Sequence, residues 1–149
     1  MIRIKVVDEQ NIVEVCKLTA NHKGGDFAAE GCKTCNALSI AEAKFLPGMH
    51  LNTIYHNQVL IGFFQYQRAE DHADLATIRR FMIGEPFRHK GLGKEALAYA
   101  LKGLKIQGVK KVLLRIEDAN EIAKKLCLSL GFVRTGKTEQ KECCYAREL

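Results

Sequence analysis

Phe81-Met82-Ile83-Gly84-Glu85-Pro86-Phe87-Arg88-His89-Lys90-Gly91-Leu92-Gly93-Lys94 carries an apolar strand through a turn into a basic, glycine-punctuated loop that opens a long helix. The helix is predicted from Gly91 to about Gln107, with Leu92, Ala96, Leu97, Ala100, Leu101 and Leu104 on one stripe and Gly108 after it. N–H groups at a helix start have no partner inside the helix and carry partial positive charge. Glycines let a bulky anion approach the backbone. The loop therefore suits a pyrophosphate, and Arg88, Lys90 and Lys94 add charge for peripheral phosphates. No Gly-Lys-Ser/Thr follows, which excludes a nucleotide-hydrolysing P-loop. Gly91-Leu92-Gly93 continues as Lys94-Glu95-Ala96, and Glu117 falls late for the acidic partner of a dinucleotide fingerprint.

Upstream, residues 1–8 alternate as a strand and 11–20 carry helical spacing at Ile12, Val15 and Cys16. Residues 21–36 read as loop. Ser39 and Glu42 form a capping box for a helix from about 40 to 46, stopped by Pro47-Gly48. Strands 51–56 and 59–67 are joined through His56-Asn57-Gln58 as a hairpin, with Gly62 marking a bulge, and a third strand covers 74–83. Downstream come a strand over 111–117, a helix capped by Asp118 or Asn120 and stopped by Gly131, and a closing hairpin of 132–138 and 142–148. The order is α/β: a mixed, mostly antiparallel sheet flanked by helices. The 149 residues suit one domain, 1–149.

The formal charge of +6 favours anionic partners. Basic residues are scattered and not interleaved with aromatics, which points to a local phosphate site and away from nucleic acid. No apolar run approaches the ~20 residues of a membrane span, and the N-terminus lacks a signal peptide's apolar core. A cytoplasmic protein is expected, without membrane association. The six cysteines then read as reduced thiols. Cys32-x-x-Cys35 has the spacing of half a zinc site, but adjacent Cys143-Cys144 point to opposite strand faces, so no metal is expected.

With these motifs in place the chain resembles the GNAT family of N-acetyltransferases. Arg88, Gly91 and Gly93 match its Arg/Gln-x-x-Gly-x-Gly/Ala motif, and Asn120, Ala123 and Gly131-Phe132 match its Asn-x-x-Ala helix ending in Gly-Phe. The resemblance covers nearly the whole chain. It implies a GNAT-like fold with a splayed parallel strand pair at the cofactor site and acetyl-CoA as co-substrate. Backbone groups of Phe81, Met82 and Ile83 would pair with pantetheine, and the Ile83 N–H would polarise the acetyl carbonyl. Arg88, His89, Lys90, Gly91, Leu92, Gly93 and Lys94 would hold the pyrophosphate. Asn120 would contact the pantetheine arm and Lys124 a phosphate. A primary amine would attack the thioester directly, and a homodimer is open by analogy.

The family often protonates the leaving thiolate with a tyrosine four residues before Gly-Phe, where this chain has Cys127. Cys127 is read either as that acid or as a small buried hydrophobe, with Tyr145 as the substitute. Glu85, His89 and Glu30 are candidate bases acting through water. Asn36 to Ala43, Leu60 to Phe63 and Arg80 to Ile83 look like the bacterial spermine/spermidine branch, which makes a polyamine the expected acceptor. Thr34 and Arg79 depart from that branch, and Asp26, Glu30, Glu42 and Glu85 are the acids available to a polycation. The alternatives are another small amine or a peptide amine, or a non-catalytic CoA-binding module.

Overall fold

Alternating burial sets the strands, and nearly continuous burial sets the middle of the sheet. In the computed structural model, which describes residues 1–19, 27–28, 36–137 and 142–149, β1 (Ile2–Val6) opens the chain. The strands β3 (Met49–His56), β4 (Val59–Gln67) and β5 (Leu75–Ile83) form an antiparallel meander. From Leu60 to Tyr66, β4 is wholly buried because both its faces are covered. Helix α1 (Ile12–Lys17) supplies Val15, and α2 (Asn36–Ala43) supplies Ile40, to a core with Leu60, Phe63 and Met82. The opposite face packs Ile61, Phe64, Phe81 and Ile83 against the apolar stripe of α3 (Leu92–Ile106).

The remaining elements are β6 (Lys111–Glu117), α4 (Glu121–Ser129), β7 (Val133–Lys137) and β8 (Glu142–Glu148). The seven longer strands run in the order β1-β3-β4-β5-β6-β8-β7. Among the described residues, only β5 and β6 pair in parallel, from Leu75↔Lys111 to Ile78↔Leu114. Both strands continue past that last pair without pairing to each other, so the sheet splays there. A two-residue strand, β2 (Phe27–Ala28), pairs antiparallel with Phe81 and Arg80. Since β4 already holds one edge of those residues, β2 lies on the splayed edge. This is the expected α/β architecture.

Three local expectations change. Helix α2 already covers Asn36, so Ser39 lies inside it, buried, and its Oγ has no hydrogen-bond partner. The Ser39–Glu42 box therefore caps nothing; buried Asn36, a turn before it, ties α2 to its neighbours, donating Nδ2 to Val15 O at 2.8 Å and accepting from Arg80 Nε at 3.1 Å. Helix α1 ends at Lys17 because the chain turns extended at Leu18 and Thr19 O receives the Glu85 N–H at 3.0 Å. The loop expected over 21–36 contains β2, and of its other residues only Asn36 is among those described. The hairpin forms as expected, with Asn57 and Gln58 at φ 49° and 72° as a two-residue turn demands. Its register shifts beside Gly62, leaving Ile61 as the extra residue. Among the described residues, no helix is long and apolar enough to cross a membrane.

Candidate active site

The site is built on the splayed edge of β5. Gly84 N–H donates to Ile61 O on β4 at 2.7 Å. Strand backbone alternates its polar groups from side to side, so Met82 also turns its N–H and C=O to β4. Phe81 and Ile83 turn theirs to the splay. An added strand can therefore meet Phe81 and Ile83 but not the backbone of Met82, whose side chain packs instead in the core under α1 and α2. At Phe81 that edge pairs with β2. The Ile83 carbonyl accepts from Arg88 Nε at 3.0 Å.

After Ile83 the chain makes a 3-10 turn, Glu85–Phe87, with Pro86 pre-set for its first positions. His89 and Gly91 take positive φ, 63° and 76°, which swings the chain into α3. Gly91 is the N-cap and offers no side-chain cap. The first helical bond is Glu95 N–H to Gly91 O at 3.2 Å, so the N–H groups of Leu92, Gly93 and Lys94 point out of the helix start. A Cβ at Gly91 would meet nothing within 4 Å, and one at Gly93 only Ile83 Cγ1 at 3.6 Å. The space before the helix is therefore open, positively polarised and ringed by His89, Lys90 and Lys94, all exposed, beside half-buried Arg88. These residues fit a pyrophosphate.

Helix α4 and strand β8 form the wall across the splay. Asn120 caps α4, its Oδ1 accepting from Ala123 N–H at 3.2 Å, which places the Asn-x-x-Ala spacing in a cap. At the other end Phe132 N–H donates to Cys127 O at 3.0 Å and Gly131 N–H to Leu128 O at 3.1 Å. That pair of bonds is a Schellman stop. It locks Cys127 with no exposed surface in the core that also holds Tyr145 and Phe132. Burial pushes the Cys127 thiol up to about 12. Burial and the neighbouring Cys143 also raise the Tyr145 phenol. Both groups hold their protons at neutral pH.

Lys124 reaches Asp118 at 3.0 Å and Glu121 at 3.1 Å, and these bonds raise its ammonium further. To meet a phosphate it must release two carboxylates. Asp118 also accepts from the Cys143 thiol at 3.2 Å; burial, then this bond, pushes that thiol up. The Asp118–Lys124–Cys143 link is not visible in the sequence, where Asp118 reads as a rival cap. Buried Arg80 was also missed as a structural tie: it joins β5 to α2 through Asn36. A charged residue flanked by apolar ones in a central strand was the available signal. Glu85 is exposed on the turn. Asp26, Glu30, Cys32, Thr34 and Cys35 lie outside the described residues. Among the described residues, Cys16, Cys127, Cys143 and Cys144 are free thiols, and no three His, Cys, Asp or Glu converge as metal ligands.

Comparison with known proteins matches residues 21–132 to the acetyltransferase (GNAT) family. YycN of Bacillus subtilis strain 168, an uncharacterized N-acetyltransferase, is 30% identical over 98 residues, 64% of this chain. The match spans 63% of that relative's length. The fold superposes on the ribosomal-protein-S18-alanine N-acetyltransferase of Escherichia coli with a TM-score of 0.74 at 16% identity, covering 99% of this chain and 94% of the other. It also superposes on the PaiA N-acetyltransferase of Thermoplasma acidophilum, solved in complex with coenzyme A, with a TM-score of 0.68 at 17% identity over 100% and 99% of the two chains.

Proposed function

The chain belongs to the acetyltransferase (GNAT) family, and on that premise we propose that it transfers an acetyl group from acetyl-CoA to a primary amine by direct attack. One observation carries the reading. The splayed edge of β5 at Ile83, just beyond the β2 pairing at Phe81, leads within one short turn to the uncapped start of α3 at Gly91. A strand edge followed by an anion cradle fits an extended amide-bearing arm that ends in a pyrophosphate.

Acetyl-CoA, when bound, supplies the activated thioester. The splayed edge of β5 at Ile83, beyond the β2 pairing at Phe81, holds the arm. The Ile83 N–H donates to the acyl oxygen where charge develops, and Arg88 on the Ile83 carbonyl ties down the next peptide group, Ile83–Gly84. The N–H groups of Leu92, Gly93 and Lys94, with Arg88, His89 and Lys90, hold phosphate oxygens. Asn120 stands at the arm's other side, and Lys124 is the reserve cation there. Tyr145, or Cys127, holds the proton that the leaving thiolate takes up. The free thiols and a small acyl carrier suit a cytoplasmic enzyme, and a homodimer goes with the family by analogy.

For the acceptor, spermidine or spermine is supported by the resemblance around residues 36–43, 60–63 and 80–83. A second reading, a small amine or peptide amine of lower charge, is favoured by Arg79, which puts a cation on the strand that bears the acetyl edge, where a polycation would have to approach. Thiol release from acetyl-CoA, measured over polyamines, diamines, amino acids and peptides, decides between them. Release with at least one amine above hydrolysis supports the transferase. CoA binding with no turnover on any amine selects the non-catalytic module. Failure to bind CoA overturns the whole reading.

A further inference from the structure

Helices α3 and α4 pack on one face of the sheet, α3 through Leu97 and α4 through Ala123 and Cys127. A cofactor held at their ends leaves the opposite face for the amine. The parallel pairing of β5 and β6 stops at Ile78↔Leu114, and both of these side chains lie in the α3-side core. Arg115 stands between buried Leu114 and Ile116, so it turns to the opposite face. Arg79 is the extra residue of a bulge, where Gln65↔Arg80 gives way to Tyr66↔Ile78. It bonds to Gln67, which alternates with core Tyr66 and so lies on that same opposite face. Arg79 and Arg115 are thus the first residues past the last parallel pair, one on each lip of the splay.

Neither cation is neutralised. Arg79 Nε donates to Gln67 Oε1 at 2.8 Å, and Gln67 Nε2 donates to Pro47 O at 2.9 Å, which turns the amide oxygen toward the arginine. Among the described residues, the Arg79 Nη groups have no hydrogen bond or ion pair, and the exposed Arg115 guanidinium has none at all. Glu117, two residues further up β6 on the same face, is exposed and forms no ion pair with Arg115. An anion between the lips relieves the repulsion of the two cations, and a guanidinium fork matches a carboxylate. The charge along the splay therefore runs from cationic at its root to anionic at Glu117, nearer the acetyl edge.

Resting on the transferase reading, we infer that the acceptor amine carries a carboxylate, which Arg79 and Arg115 hold at the root of the splay while the amine faces the thioester. Ile83 lies four residues beyond Arg79, about 13 Å at 3.3 Å per residue, so several bonds separate the two groups of the acceptor. An ω-amino acid or the N-terminus of a short peptide has that reach. An α-amine beside its own carboxylate does not.

Thiol release from acetyl-CoA, measured with ε-aminocaproate and triglycine, each against its terminal amide, and with cadaverine, tests this. Each acid should exceed its amide in kcat/KM by about tenfold or more. Arg79→Ala and Arg115→Ala should each raise KM for the acids about tenfold and bring the acid-to-amide ratio toward one. Arg115→Lys should keep part of the preference, since the charge remains without the fork. Titration with CoA, at parental affinity in every variant, controls for folding. Turnover of the amides or of cadaverine as fast as the acids overturns the inference and leaves the transferase standing. An acid preference that survives both alanine variants overturns it too. No turnover of any amine by CoA-binding protein overturns the transferase reading, and this inference with it.

Discussion

Arg88 Nε donates to the carbonyl oxygen of Ile83 at 3.0 Å, across the turn that joins the strand edge to the phosphate cradle. One side chain thus couples the two halves of the proposed cofactor site. It ties down the Ile83–Gly84 peptide group and places a cation before α3. Arg88→Ala should raise the CoA dissociation constant about tenfold or more. Arg88→Lys should recover part of that, since an ammonium keeps the charge but not the fixed fork. Calorimetric titration with CoA reads both, and parental affinity in the alanine variant would remove Arg88 from the site.

Gly62 lies under the same strand end. A Cβ there would sit 2.5 Å from Met82 O and 3.0 Å from Ile83 Cδ1. The first of these is backbone and has no easy escape, so Gly62→Ala must push β5 away from β4. The expected loss is about 2 kcal/mol of stability, read in urea unfolding, with weaker CoA binding because Ile83 moves. An unchanged unfolding midpoint would show that the strands are looser than the contact implies.

Gly91 separates conformation from charge. Its φ is +76°, yet a Cβ would meet nothing within 4 Å. Gly91→Ala should cost only the left-handed backbone term, about 1 kcal/mol. Gly91→Asp adds a carboxylate where phosphate oxygens belong. It should reduce CoA affinity at least tenfold beyond the alanine variant, an effect of about 1.4 kcal/mol. Equal affinities for the two variants would move the pyrophosphate elsewhere.

Cys127 gives a pH signature. Burial lifts its thiol from an ordinary 9.0 to about 12. Above 9.0 the unfolded chain loses this proton while the folded chain keeps it. The stabilisation is therefore complete below pH 9.0 and is lost as pH climbs toward 12, with a slope approaching ~1.4 kcal/mol per pH unit. Cys127→Ala should flatten part of that slope in urea midpoints between pH 8 and 10. Residual slope belongs to Cys143, Tyr145, Tyr66 and Lys124, which are raised as well. If Cys127 is packing alone, the alanine variant keeps the parental kcat and its pH profile. A large loss of kcat at parental CoA affinity would make it the proton donor to the thiolate.

Much of the architecture was legible because its signals are local. The α3 stripe from Leu92 to Leu104, the Asn57-Gln58 turn and the Gly131 stop each rest on the backbone needs of a few neighbouring residues. The Ser39–Glu42 box was equally local and misled, since Asn36 found buried partners on α1 and β5 that a capping rule does not count. Side-chain pairing was the least legible. Lys124 reads as a free cation at the right spacing, and only folding brings Asp118 and Glu121 to it.

By itself, then, the sequence determined the cradle: a strand, a turn and an uncapped helix start need only the order Phe81 to Lys94, because backbone geometry is set by adjacent residues. Tertiary structure decided which groups can use it. It turned Phe81 and Ile83 to the splay and Met82 to β4. It closed Cys127 inside the core and left the Asn52 Nδ2 buried without a partner. These outcomes depend on contacts between residues far apart in the chain, and burial and pairing are properties of those contacts.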